Sequence, residues 1–300
     1  MNLSFLGFRD REPFLSGALR ARPLFVRPPQ PPSALVFCPP ARSVWVSRCR
    51  TWSVPFCWSF EKMANPHVAV VGMTGSGKSF FVKTFLTRSN LVYGTNAFIL
   101  DWSGEYGPWV RQAGGTVLRL GGESLNLLDL CGMTPSQRSQ QVLEALKQLT
   151  DLKHFPREQQ WVRLALEQSY AIRRFSMDAP SDKKPPTLTD ALFWLKAKAR
   201  KAAAWDRREI ENAVLLLRPL TVSGSDFFSR HSSFSLDKLL ASGLVCVDLT
   251  GLPSEALRSL AGLTLLQFMR EKMRVSERHD RPELKWWVVL DEAWKICRED

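Results

Sequence analysis

Gly72-Met-Thr-Gly-Ser-Gly-Lys-Ser79 carries the strongest structural signal in this sequence. It fits the phosphate-binding pattern G-x-x-x-x-G-K-[ST]. The apolar, β-branched residues 67–71 before it predict a buried strand, and residues 80–86 after it have the apolar spacing of a helix start. Because strand, glycine loop and helix follow in the order that the motif needs, the sequence predicts a nucleotide-binding site, and a plain glycine-rich turn is the weaker interpretation.

Each residue type in this loop has a chemical role in the predicted site. Backbone N–H groups and the N-terminal end of the following helix attract phosphate oxygens. Lys78 would reach the β- and γ-phosphates, and the Ser79 hydroxyl would hold Mg²⁺. The predicted nucleotide-binding residues of the loop are Gly72, Met73, Thr74, Gly75, Ser76, Gly77, Lys78, Ser79 and Phe80.

A second candidate element is the run Trp-Trp-Val-Val-Leu at 286–290, which ends in Asp291-Glu292. Its continuous apolar character is typical of a strand buried on both faces. Asp291 can bind Mg²⁺ through water, as a Walker B residue does, and Glu292 can activate the attacking water as a general base. The pattern is common by itself and gains weight downstream of a phosphate loop. Glu292, together with the lack of an Asn-Lys-x-Asp motif in the sequence, favours ATP hydrolysis over a GTP switch.

Composition limits the class of protein. An apolar content of 45% in 300 residues suits a globular core, and no uninterrupted apolar stretch reaches membrane-spanning length, so we predict no transmembrane helix. The six cysteines form no C-x-x-C pair, which is typical of reduced thiols in an intracellular protein.

The net charge of +12 suggests a nucleic-acid partner, but its distribution is divided. Residues 1–62 and residues 133–220 each carry +6, so the remaining segments are near neutral. A basic patch on the second of these regions could meet a phosphate backbone or could be a solvated face, and charge alone leaves both open.

The chain divides by composition and periodicity. Residues 1–62 hold nine of the nineteen prolines and eight arginines, which predicts little regular structure. This segment could be a transit peptide, but the abrupt change in composition favours translation from Met63. We expect residues 63–132 to form the first half of an α/β core, residues 133–220 an all-helical insertion, and residues 221–300 a second, incomplete part of the core.

The predicted elements alternate as in an α/β protein. The predicted strands that follow the phosphate loop are 97–100, 116–120, 244–248 and 286–290, and the predicted helices are 134–149, 157–174, 187–203, 206–219 and 254–274.

Four motifs in a fixed order resemble those of a known family. They are the phosphate loop, Asp101-Trp-Ser-Gly-Glu-Tyr106, Leu125-Asn-Leu-Leu-Asp129 and Asp291-Glu-Ala-Trp294. In this order they resemble the HerA/FtsK superfamily, and most of all its conjugative-transfer branch, the TraC-like ATPases of type IV secretion. The resemblance covers about residues 65–298. It implies an α/β fold of the RecA-like P-loop NTPase type, with a mostly parallel sheet interrupted by an all-helical insertion.

The resemblance also assigns roles to residues. Lys78, Ser79, Asp291 and Glu292 would be the nucleotide and metal residues already argued from the sequence. Asp101 and Glu105 would match the acidic motif at a strand end that faces the nucleotide, with Glu105 among the catalytic residues; their plainer role is a loop, since Asp-x-x-Gly makes a turn. Asn126 and Asp129 are left out of the site, because Leu127 stands where the family has proline.

The function implied by the resemblance is a ring-forming ATPase motor that uses ATP and Mg²⁺. It implies a homo-oligomer in a hexameric ring, with partners among secretion-channel or membrane-complex proteins and with DNA. The implied location is the cytoplasm, with peripheral attachment at the inner face of the cell membrane. A HerA-like DNA translocase or helicase is the alternative within the same superfamily.

Two further alternatives belong to other classes. The chain ends at Asp300, about nine residues after Asp291, whereas family members continue with a polar sensor residue and an arginine that reaches the next subunit. This favours considering a non-catalytic nucleotide-binding subunit or a truncated remnant. A nucleic-acid binder could use Lys196, Lys198, Arg200 and Lys201, although their spacing favours a solvated helix end. Trp205 is expected to pack in the core of the helical region.

Overall fold

The computed structural model of the chain describes residues 67–221, 226–276 and 286–295. The chain divides into two compact units, Met1–Asn96 and Ala97–Asp300. The predictions made for residues 1–62 lie outside the described residues.

The first unit contains the phosphate loop and helix α1 (Lys78–Tyr93). The helix ends at Gly94, where a left-handed φ of 64° lets the glycine N–H donate to the carbonyl oxygen of Asn90 at 2.8 Å. The strand predicted at 67–71 is absent: these residues have no regular secondary structure. Apolar, β-branched side chains favour extended backbone, but a strand also needs a hydrogen-bonded neighbour, and no described strand pairs with this segment.

The second unit is built on a four-stranded sheet with the order β2-β3-β1-β4. Its strands are β1 (Asn96–Asp101), β2 (Thr116–Arg119), β3 (Leu244–Asp248) and β4 (Trp286–Leu290). β3 pairs in parallel with β1 on one side and with β2 on the other, and the register places Asp101 beside Asp248. The apolar centres of β1 and β3 are fully buried, as continuous apolar runs in a parallel sheet predict.

Strand β4 differs from its prediction in burial. Its sequence is apolar throughout, yet all five residues are only half-buried. The reason lies in its position, because β4 is the outer strand next to β1 and has one strand neighbour among the described residues.

The helices after β2 are close to those predicted from periodicity. They are α3 (Pro135–Leu149), α4 (Pro156–Ile172), α5 (Leu188–Lys201), α6 (Ala204–Leu217) and α8 (Glu255–Ser276). Capping boxes begin two of them: Thr134 exchanges hydrogen bonds with Gln137, and Thr187 does so with Asp190. Buried apolar residues of these helices and of the sheet form one continuous core.

Two short α-helices among the described residues were not predicted. They are α2 (Gly107–Gln112) and α7 (Leu236–Leu240), with six and five residues. Elements of this length complete fewer than two turns, so they show no hydrophobic period in the sequence. Helix α2 nevertheless matters for the site, since it begins directly after the Asp101–Tyr106 motif.

Candidate functional site

The phosphate loop is shaped by two glycines with left-handed backbone. Gly75 has φ 77° and Gly77 has φ 86°, conformations that residues with a Cβ rarely adopt. Gly77 is also the N-cap of α1, so Lys78 and Ser79 are the first two helical residues. The loop thus leads into the positive end of a 16-residue helix, which favours an anion.

The polar groups of the loop fit a polyphosphate. Lys78 Nζ donates to the carbonyl oxygen of Met73 at 3.0 Å, so its cation is folded over the loop. The Ser76 hydroxyl is shielded from solvent and has no hydrogen-bond partner among the described residues. A Cβ at Gly72 would lie 2.6 Å from Ser76 Oγ, so only glycine fits there without a shift. Met73 and Phe80 are exposed on either side of the turn at Thr74.

In the second unit, the buried carboxylate of Asp101 organises the loop that follows β1. One oxygen accepts the backbone N–H groups of Gly104 at 2.8 Å and Glu105 at 3.1 Å. The other accepts those of Tyr106 at 2.9 Å and Gly107 at 3.3 Å. The side chain is fully buried, and both oxygens are engaged by its own loop. This arrangement agrees with the plainer interpretation of the Asp-x-x-Gly pattern, a turn.

Asp291 lies directly after β4 and is bound to the same loop. Its backbone N–H donates to the carbonyl oxygen of Leu100 at 3.1 Å, which continues the pairing of β4 with β1. Its Oδ2 accepts the Ser103 hydroxyl at 2.6 Å and the Ser103 backbone N–H at 3.2 Å. No described residue donates to Oδ1, so that oxygen can accept a water molecule of a hydrated cation.

The surroundings of Asp291 act on its ionisation in opposite directions. Burial is the largest effect and raises the pKa of this carboxyl above its usual range, and the negative charges of Asp101 and Glu292 raise it further. The hydrogen bonds from Ser103 lower the pKa and oppose these effects. A divalent cation would relieve the same concentration of negative charge.

Glu292 has an unusual backbone conformation. Its φ is 51°, in the left-handed region that residues other than glycine seldom occupy. Its exposed side chain accepts a hydrogen bond from the indole N–H of Trp294 through Oε2. Strained residues are frequent at functional sites, so this position is a reasonable one for a water-activating carboxylate.

The predicted site residues are therefore distributed over both units. The phosphate loop belongs to the first unit, whereas Asp101, Glu105, Asp291 and Glu292 belong to the second. Within the second unit the structure joins Asp101 and Asp291 through one loop, and Glu105 is an exposed residue of that loop.

Ser103 was missed by the sequence analysis. A serine beside a glycine after a strand is typical of a turn, and its partner lies 188 positions further along the chain. No local pattern in the sequence indicates a contact at that separation.

Asn126 and Asp129 form a buried tie outside this cluster. The Asn126 amide donates to Asp129 at 3.0 Å and to the carbonyl oxygen of Pro186 at 2.9 Å, and Asp129 also accepts the hydroxyl of Ser232. Burial raises the pKa of Asp129, and these hydrogen bonds lower it. The contacts fix the segment before α3 against the loops at 186 and 232.

Comparisons with known proteins identify a matching family model and two relatives. The family model described as "Helicase HerA, central domain" matches residues 46–268. The DNA import protein CedB of Sulfolobus acidocaldarius is 23% identical over 245 residues, which is 81% of this chain and 37% of CedB. The solved structure of VirB4 of Thermoanaerobacter pseudethanolicus has a TM-score of 0.60 at 21% identity and covers 75% of this chain and 60% of that chain. This chain therefore spans less than two thirds of the length of either relative, and the likeness to VirB4 bears on the fold.

Proposed function

The chain belongs to the HerA central-domain family and is a P-loop ATPase of the HerA/FtsK type, related to the conjugative ATPases, and from this premise we propose that it is the ATP-hydrolysing motor subunit of a DNA or protein–DNA transfer system. The observation that carries the proposal is the glycine loop with left-handed backbone that opens α1 and presents Lys78 and Ser79. The relative CedB is a DNA import protein, and this relationship together with the VirB4-like fold supports a role in transfer.

The phosphate loop would bind the nucleotide. Lys78 would exchange its bond to Met73 for bonds to the β- and γ-phosphates, and Ser76 would find a partner for its buried hydroxyl among the phosphate oxygens. The backbone N–H groups from Gly75 onward would face the same oxygens. The loop is already formed, so little ordering would be needed on binding.

Asp291 and Ser79 would hold Mg²⁺, which would neutralise charge on the phosphates during transfer. The donor set fits this cation, since Mg²⁺ prefers hydroxyl, carboxylate and water oxygens. Asp101 would act indirectly, because both of its oxygens are occupied by backbone N–H groups.

Glu292 would accept the proton of the attacking water. The Trp294 indole N–H donates to Oε2, which leaves Oε1 as the proton acceptor. Glu105, exposed on the neighbouring loop, would act on the same reaction as a second polar group.

The assembly proposed for the active protein is a hexameric ring with secretion-channel or membrane-complex partners. None of the described helices is long and apolar enough to cross a membrane. We propose a cytoplasmic location with peripheral attachment at the inner membrane face. Residues 63–132 and 221–300 would form the ATPase core around the helical insertion at 133–220.

A DNA partner is favoured by one surface of the second unit, which we call the hairpin tip (residues 193–208 of α5 and α6). Residues 196–208 carry six basic side chains and one acidic side chain. In the part of the chain that the structure describes, no hydrogen bond or ion pair engages the side chains of Lys196, Lys198, Arg200, Lys201 and Arg208.

Two aromatic side chains are exposed on the hairpin tip. Phe193 is 75% exposed and shares a helix face with Lys196 and Arg200, at spacings of three and seven. Trp205 is 70% exposed, with Arg157 5.9 Å from its ring, so the expectation that it packs in the core is wrong. Unpaired cations beside exposed aromatic rings suit phosphates and stacked bases.

The test of the ATPase proposal is nucleotide titration with phosphate release on the full chain. We expect Mg²⁺–ATP binding with turnover in the wild type, loss of binding in Lys78→Ala, and binding without turnover in Glu292→Gln. Binding without release from the wild type would instead indicate a non-catalytic subunit, and no binding would refute the proposal.

The DNA surface has a separate test with single-stranded DNA and fluorescence anisotropy. The single substitutions Lys196→Ala, Arg200→Ala and Trp205→Ala are each expected to weaken DNA binding. The slope of log affinity against log salt concentration should become shallower by about one for each lost phosphate contact. Lys147→Ala is the matched control, because Lys147 is already paired with Glu144 at 3.0 Å. Equal binding by all variants would refute a role of the hairpin tip.

A further inference from the structure

The loop between β1 and α2 is fixed from both of its ends. Asp101 holds its backbone through four N–H groups, and Gly104 takes the left-handed φ of 81° that the turn requires. Trp102, at the start of the loop, is 3% exposed. Ser103 therefore projects from a segment with little freedom to move.

The segment after β4 is fixed as well. The Lys295 ammonium lies 5.4 Å from the Trp102 ring centre and donates to Glu255 at 2.9 Å. The backbone carbonyl oxygen of Lys295 accepts the hydroxyl of Ser259 at 3.2 Å. The backbone N–H of Lys295 donates to the carbonyl oxygen of Glu292 at 2.8 Å. The turn that carries Asp291 is thus anchored to the same tryptophan as the loop that carries Ser103.

Between these anchored segments, Ser103 makes two bonds to a single oxygen of Asp291. Hydroxyl and backbone N–H both donate to Oδ2, at 2.6 and 3.2 Å, so the carboxylate cannot rotate without losing both. An aspartate without such a partner has two χ angles to order before it can face a cation. Carboxylates that act on metals are generally held by hydrogen bonds of this kind.

We propose that Ser103 is a positioning residue that holds Oδ2 of Asp291 and thereby keeps Oδ1 available to the divalent cation that accompanies the nucleotide. The inference rests on the proposed function of Asp291. It adds a residue that the motif pattern treats only as part of a turn.

The experiment compares the wild type with Ser103→Ala, Ser103→Thr, Asp291→Asn and Ser242→Ala in the full chain. A fluorescent ATP analogue reports nucleotide affinity in EDTA and across a Mg²⁺ titration, and Mn²⁺ bound with a non-hydrolysable ATP analogue is counted by electron paramagnetic resonance. Ser242→Ala is the matched control, since it also removes a serine hydroxyl. That hydroxyl donates to the carbonyl oxygens of Leu239 and Leu244, at the start of β3 and away from the strand end that carries Asp248.

We expect Ser103→Ala to keep its affinity in EDTA and to need about 10- to 100-fold more Mn²⁺ or Mg²⁺ for half-saturation, the usual effect of losing a partner of a metal ligand. Ser103→Thr keeps the hydroxyl and is expected to restore the wild-type value within a few-fold. Ser242→Ala should match the wild type.

The inference is overturned if Ser103→Ala binds metal as the wild type does, or more tightly, while Asp291→Asn is impaired. It is also overturned, together with the proposed role of Asp291, if Asp291→Asn retains wild-type metal affinity. Impaired metal binding in Ser103→Ala without rescue by threonine would assign the effect to loop structure and overturn the role of the hydroxyl.

Discussion

Replacing Asp101 by asparagine tests how the loop after β1 is stabilised. The carboxylate accepts two N–H groups on each oxygen, from Gly104 and Glu105 on one and from Tyr106 and Gly107 on the other. Asparagine has one acceptor oxygen, so two of the four donors would face an amide N–H₂ group. The amide oxygen is expected to serve the more buried pair, which leaves the half-buried pair without a protein acceptor.

The size of the effect follows from these bonds. Two N–H groups that lose their acceptor cost about 1 kcal/mol each when water can partly replace it, and the two remaining bonds weaken because the acceptor is no longer charged. We expect a loss of about 2–3 kcal/mol in the free energy of unfolding. With an m-value of about 3 kcal/mol/M in urea, the unfolding midpoint would fall by about 1 M.

Urea unfolding followed by tryptophan fluorescence measures this change, and Asp248→Asn is the control. Asp248 pairs with Asp101 in the sheet register, but its Oδ1 alone accepts both bonds from Thr250, and its other oxygen meets an exposed Arg119 at 3.7 Å. Asparagine can keep the Thr250 bonds, so we expect a loss below about 1 kcal/mol. Equal losses in the two variants would refute the reasoning that Asp101 acts as a four-donor acceptor.

Four other substitutions test single features of the second unit. Asp291→Asn should raise the melting temperature at pH 7, because burial raises the folded-state pKa of Asp291 above its usual value and ionisation then costs stability. This gain in melting temperature should vanish as the pH falls below the folded-state pKa, and a constant gain across the pH range would contradict the reasoning. Gly251→Ala should destabilise by roughly 2 kcal/mol in urea unfolding, because its Cβ would lie 2.1 Å from the carbonyl oxygen of Leu120; a neutral result would exclude this close approach. Glu292→Gly and Arg174→Gly should each stabilise by about 1 kcal/mol, since both residues have positive φ, but only the first should abolish phosphate release.

Most helices and strands could be predicted from the sequence because their signals are local. Thr134 and Gln137 form a capping box that marks the start of α3, and apolar periodicity carries the helix onward. The continuous apolar runs of β1 and β3 also predicted that the centres of these strands are buried. Where the prediction was wrong, at residues 67–71, the missing information was the identity of a pairing strand, which is not a local property.

The exposed aromatic residues show the same limit from the side of packing. Trp205 has a large apolar side chain of the kind usually found in a core. It lies at the start of α6, next to the short connection from α5, and is 70% exposed. Side-chain chemistry favours burial of tryptophan, but the order in which helices meet decides which faces are covered.

The sequence alone determined the local features on which the proposed chemistry rests: glycines where the backbone is left-handed, a lysine and a serine at the start of a helix, and a strand that ends in two acids. These are properties of neighbouring residues, so they can be seen without a fold. Only the tertiary structure decided that both carboxylate oxygens of Asp101 accept hydrogen bonds from its own loop and that Ser103 donates to Asp291. That contact joins residues 188 positions apart, and it exists because the pairing of β1 with β4 brings the two strand ends together.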